Sequence, residues 1–248
     1  MTKRFALLVA AGLLAATAPA AEQTVSYKSG EETVSGFLAR PEGKGPFPGV
    51  VVIQEWWGLN DWVKDQARAL AKEGYVALAV DLYRGKVAAQ QEEAHQLMMG
   101  APADRILRDL KAALAFLRAR PDVKKDRVGS IGWCMGGHWS LALAVEDPGQ
   151  AAVVAYYGAP PTDADAIAKI KAPILGNYGA EDKGPSPDQV RAFEAALKAA
   201  GKTIDVKIYE GAGHAFANVN NPWGGYREAA AKDAWARTIA FFAKYLKK

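Results

Sequence analysis

Cysteine and histidine are scarce in this chain. One cysteine, Cys134, occurs in 248 residues, so no internal disulfide can form and the thiol is either buried filler or a reactive group. Only three histidines are present, His95, His138 and His214. There is no H-E-x-x-H motif, no Cys/His cluster and no Gly-rich phosphate loop, so neither a metal nor a dinucleotide cofactor is expected. No concentrated basic block exists either. The formal net charge is +4, and Lys3 and Arg4 supply two of those charges, which leaves about +2 for the rest and argues against a nucleic-acid surface. Beyond the first residues no apolar run approaches the ~20 needed to cross a bilayer. Repeats, low-complexity tracts and linkers are absent.

The first residues, MTKRFALLVAAGLLAATAPAAEQ, have the layout of a secretory signal: a short basic start, an apolar run from Phe5 to about Ala16, then small residues. Cleavage is expected after Ala20 or Ala21. Residues 1–21 are thus read as a signal peptide and 22–248 as one domain, exported to the periplasm or secreted, with no membrane attachment after cleavage. An oxidising compartment favours paired cysteines, which makes a lone thiol more conspicuous.

Past this segment, VSYK and ETVSGFLARP alternate as an antiparallel edge hairpin. Continuous apolar runs at 49–53 and 75–83 read as buried strands, and 126–131, 151–157, 172–178 and 203–209 read as further strands. Helical spacing predicts helices over 61–72, 104–119, 136–145, 188–200 and 226–246, the last burying Trp235, Ile239, Phe242 and Leu246. Alternating strands and helices demand an α/β fold, with a mostly parallel central sheet and helices on both faces. Residues 85–103 are left as a connection that either covers a pocket or packs on the body. In open sheets of this kind, sites collect beyond the carboxyl ends of the strands.

One such end carries Gly132-Trp133-Cys134-Met135-Gly136, a G-x-nucleophile-x-G pattern between strand and helix. Its sharp turn lifts the nucleophile above the sheet, and the helix N-terminus favours a thiolate. The base for such a thiol is best supplied by His214, in GAGHAF after the strand 203–209. His95 sits in polar QQEEAHQ, and His138 lies four residues along the nucleophile's own helix. The orienting acid is Asp182, after the strand 172–178, with Glu181 as the alternative. The order Cys134, Asp182, His214 matches the α/β-hydrolase fold. Backbone N–H groups of Met135 and Trp56 are the expected oxyanion hole.

IQEWWGLN, DLYRG, GWCMGG, AYYG, a G-x-E-D segment and GAGHAF, in that order, resemble the dienelactone hydrolases. The resemblance implies hydrolysis of small esters or lactones without a cofactor. It also implies that Glu55 pairs with the resting thiol and that substrate displaces it to free the thiolate. The family's carboxylate-gripping arginines correspond here to Arg84, offset by one position, and to Asn218, four residues after the histidine. Arg84, Trp57 and Tyr157 are the candidate substrate-binding residues. Trp56, Trp57, Trp133 and Trp139 suggest an apolar acyl pocket, unless some of them are core. Two other readings fit a lone thiol on this scaffold: an exported binder that has lost its chemistry, and a redox-active thiol protein.

Overall fold

The computed structural model describes residues 21–248, so the expected signal segment lies outside the described residues except for Ala21, which opens the first strand. The strands are β1 (Ala21–Ser29), β2 (Glu32–Arg40), β3 (Phe47–Ile53), β4 (Val76–Val80), β5 (Val123–Trp133), β6 (Val153–Tyr156), β7 (Ile174–Gly179) and β8 (Ile204–Tyr209). They form one sheet in the order β1-β2-β4-β3-β5-β6-β7-β8. From β4 to β8 every pairing is parallel, and the β1–β2 hairpin closes one edge antiparallel. This is the α/β-hydrolase architecture.

The apolar run of β3 shows why the sheet is covered twice. Val50 and Val52 point to one face, where they meet α1 (Asp61–Lys72) and α7 (Glu228–Leu246). Val51 and Ile53 point to the other, against α3 (Ala103–Ala119) and α4 (Met135–Glu146). All four are fully buried, and burying each such side chain contributes about 1.5–3 kcal/mol. Farther along, α5 (Ala164–Lys169) and α6 (Pro187–Ala199) extend the second layer over β6 and β7.

Three local expectations need correction. The connection 85–103 contains a helix, α2 (Gln91–Met99), which buries only Ala94 and so carries almost no apolar period. The six-residue α5 was likewise unmarked, being too short for periodicity to register. In α7 the stripe facing the core is Ala230, Ala234, Thr238, Phe241, Phe242 and Leu246, with Trp235 and Ile239 only half-buried at its margin. Thr238 sits in that stripe because its hydroxyl meets the buried Tyr156 hydroxyl at 2.7 Å.

The parallel run has one functional consequence. It brings the ends of β3, β5, β6, β7 and β8 to the same edge, and the loops leaving them carry Glu55, Cys134, Tyr157, Asp182 and His214.

Candidate active site

Cys134 is the residue between β5 and α4, at φ 54° and ψ −117°. A side chain held there costs about 1–3 kcal/mol and persists only where its surroundings enforce it. The flanking glycines do so. A Cβ on Gly132 would strike the backbone of Gly136, and one on Gly136 would strike the Ile53 and Gln54 carbonyls. The first turn of α4 therefore packs directly on the end of β3. The Cys134 amide is satisfied by the Tyr156 carbonyl at 3.0 Å, and the half-buried sulfur faces a cavity of 660 Å³.

His214 stands on the loop after β8. Its Nδ1 donates to Asp182 Oδ2 at 2.8 Å, and the ring lines the same cavity as the Cys134 sulfur. Asp182 is buried and also accepts from the Gly184 amide at 2.9 Å through Oδ1, whereas its neighbour Glu181 is exposed. Burial opposes a charge on His214. Hydrogen bonds to Asp182 and to the sulfur, with the negative charge of both, outweigh it and push the imidazole up to about 10.

Two residues expected to supply amide donors, Met135 and Trp56, line the same cavity as the sulfur. Met135 is the first residue of α4, where N–H groups have no intrahelical partner. Among the described residues neither its amide nor that of Trp56 has a protein acceptor. The Trp56 loop is held by Gln54, a fully buried side chain whose Oε1 accepts from the Leu82 amide at 3.3 Å.

Glu55 lies beneath this group, entirely buried, and its geometry departs from the expectation. Asn218 Nδ2 donates to Glu55 Oε2 at 2.6 Å, and the Tyr157 hydroxyl donates to Oε1 at 3.4 Å. Both oxygens are thus engaged by Asn218 and Tyr157, and among the described residues no hydrogen bond joins Glu55 to the thiol, although both border one recess. Asn218, noted in the sequence as a missing arginine, is buried and serves this carboxyl. Burial pushes Glu55 up to about 7, against the opposing pull of Asn218, His214 and Tyr157.

That shift has a definite sign. Between pH 4.5 and about 7 the folded state binds more protons at Glu55 than the unfolded chain does, so this group lowers stability as pH rises. The penalty at pH 8 is on the order of 3 kcal/mol. Glu55→Gln, which keeps an acceptor for Asn218, is therefore expected to raise the unfolding free energy at pH 8 while changing it little near pH 5. Parallel urea titrations of both proteins at the two pH values check this. An equal effect at both values would show that the carboxyl is not carrying that penalty.

The expected substrate residues separate. Arg84 is corrected: it does not reach the sulfur's cavity. Its guanidinium pairs with Asp109 at 2.7 Å and Glu32 at 2.6 Å, and it borders a different hollow with Lys86 and Arg105. The reason is Asp109, a fully buried carboxylate on α3 that needs a cation and also accepts from Ser29 at 2.6 Å. Trp133 is core, edge-on to Trp62. Trp57 borders only a narrow recess beside the cavity. Tyr157, at φ 38°, does line the cavity, as do Trp56 and Trp139.

Other residues join them, of which Trp223 alone was not anticipated. Trp223 lies against Trp56 and Trp57, with ring centroids 6.0 and 5.9 Å apart, and its only sequence cue is a large aromatic in the polar turn NNPWGG. Met98 and Met99 of α2 reach the same cavity. His138 lines it too, its Nδ1 donating to the Ala159 carbonyl at 2.9 Å, while His95 is solvent-exposed.

With this geometry in place, the comparison with known proteins decides the family: residues 34–246 match the dienelactone hydrolase family. The chain belongs to that family. It is an enzyme of the ester and lactone hydrolase class. A protein of Methylorubrum extorquens provisionally named a carboxymethylenebutenolidase is 33% identical, the match covering 96% of this chain and 90% of that one. A provisionally named dienelactone hydrolase crystal structure from Klebsiella pneumoniae is 32% identical with a TM-score of 0.83, covering 91% of this chain and 99% of that one. A dienelactone hydrolase-like promiscuous phosphotriesterase from metagenomic libraries is 28% identical, TM-score 0.84, with 92% and 99% covered. Among the described residues no helix is long and apolar enough to cross a membrane.

Proposed function

We propose that this dienelactone hydrolase family member cleaves small esters or lactones through a thioester on Cys134. The observation that carries the reading is the placement of Cys134 and His214 on one cavity, with His214 hydrogen-bonded to the buried Asp182. The Cys134 sulfur attacks the substrate carbonyl carbon. Charge collects on the carbonyl oxygen, where the Met135 and Trp56 amides receive it. The tetrahedral species collapses, and the departing alkoxide takes the proton from the His214 imidazolium.

Proton release at that moment follows from the same electrostatics. Once acylated, the sulfur is uncharged, so one of the two partners that stabilise the imidazolium is gone. Neutral His214 then takes a proton from water as the water attacks the thioester. The second tetrahedral species expels the thiolate, which restores the ion pair and releases the acid. Asp182 holds the ring throughout.

The test is turnover of p-nitrophenyl acetate and a panel of small lactones by the purified chain, set beside the rate of thiol oxidation by peroxide. Ester or lactone hydrolysis that is saturable and faster than peroxide consumption supports the reading. Peroxide reacting faster than every ester would instead support the redox reading, and tight binding without turnover would support the binder.

Export belongs to the same proposal. The basic and apolar N-terminal segment supports delivery across a membrane, and the secreted protein's first residue should then be Ala21 or Glu22. N-terminal sequencing of protein recovered from the periplasm or medium tests it, and an intact Met1 there would count against cleavage.

A further inference from the structure

Lining of the cavity differs in character from the machinery at its floor. Trp56, Met98, Met99, Trp139 and Trp223 form its walls, and among the described residues no lysine or arginine lines it. Two of these residues are large apolar side chains left exposed at the mouth, Met99 at 70% and Trp223 at 55%. Such exposure marks a surface built to meet something apolar.

Charge at the floor is set against anions. Asp182 pairs with His214 there, and the buried carboxyl group of Glu55 borders the same recess as His214. Arg84 is committed to Asp109 and Glu32 in a separate hollow. Asn218 is neutral and donates its amide to Glu55. A substrate carboxylate entering here would lose water and find no partner.

We propose that the cavity selects uncharged esters with an aromatic acyl group and rejects esters whose acyl chain ends in a carboxylate. The inference rests on Cys134 being the nucleophile. Flat rings suit these walls because tryptophan faces stack on them in offset or edge-on fashion, and thioethers make favourable contacts at a ring edge. A volume of 660 Å³ accommodates a small aromatic ester and leaves the walls within contact.

Three p-nitrophenyl esters separate the contributions: 3-phenylpropionate, valerate, and the glutarate mono-ester, which matches valerate in length but carries a charge. Each kcat/KM is divided by the ester's own rate with hydroxide. The expected order is phenylpropionate, then valerate, then glutarate, with the charged ester at least about 100-fold below valerate. Met99→Arg, at an exposed position that the fold does not depend on, is expected to narrow the valerate-to-glutarate ratio at least tenfold. Equal or faster hydrolysis of the glutarate ester, with Cys134-dependent turnover intact, overturns the selectivity and leaves the nucleophile standing. If no ester turns over through Cys134, the nucleophile reading falls. Calorimetry with Cys134→Ala then decides selectivity alone, using methyl 3-phenylpropionate and monomethyl glutarate as probes. Binding of the first and not the second sustains it; comparable binding of both, or of neither, overturns it.

Discussion

Cys134→Ala is expected to lower kcat/KM for p-nitrophenyl acetate by about 10⁴-fold or more, since removing a nucleophile abolishes the covalent route and leaves only binding and oxyanion contacts. The fold should survive the change. Alanine differs from cysteine by one sulfur atom, and Cys134 is only half-buried, at the margin of the core where it borders the cavity. Stability is expected to change little, because the strained backbone at φ 54° is imposed by the packing of Gly132 and Gly136 and not by the side chain. Paired measurements of rate and melting temperature check this. A variant that stays folded and keeps within tenfold of the parent rate would mean that water, and not sulfur, attacks the ester.

Asp182→Asn should be nearly as damaging, about 10³- to 10⁴-fold in kcat/KM, for a reason visible in its hydrogen bonds. Oδ1 accepts from the Gly184 amide, so an asparagine must put its carbonyl oxygen there. Its NH₂ group then faces His214 Nδ1, which is obliged to accept. The proton moves to the nitrogen beside the sulfur, and a neutral ring in that tautomer cannot take another from the thiol or from water. The charge that favours the imidazolium is lost as well. Glu181→Gln, on the exposed neighbour, should leave the rate within twofold or so. Comparable losses for the two variants would show that the carboxyl at 182 does not orient the base.

Much of this was legible in the sequence because it is local. The glycines two positions either side of Cys134 report a close approach of α4 to β5 and β3, and a Cβ at either one shows what they make room for. His214 and Asp182 stood out because each follows a strand within a few residues, and parallel strands end at one edge. What stayed hidden depends on contacts between distant segments. Glu55 meets Asn218 across 163 positions and Tyr157 across 102. No spacing rule announces such a pair, so the sequence suggested a thiol partner for Glu55 where the structure supplies an amide and a phenol. Arg84 was misjudged for the same reason: its partner Asp109 lies inside an α3 whose pattern reads as an ordinary amphipathic helix. Trp223 escaped because a lone aromatic in a polar turn carries no period, and only its contact with Trp56 and Trp57 gives it a place.

The most direct measurement is intact-mass analysis of the protein quenched in acid within the first turnovers of p-nitrophenyl acetate, followed by peptide mapping. The account predicts a gain of one acetyl group, located on Cys134, that accumulates further in His214→Ala and is absent from Cys134→Ala. An unmodified protein at every time point during rapid turnover, or an acetyl group on any other residue, would contradict it.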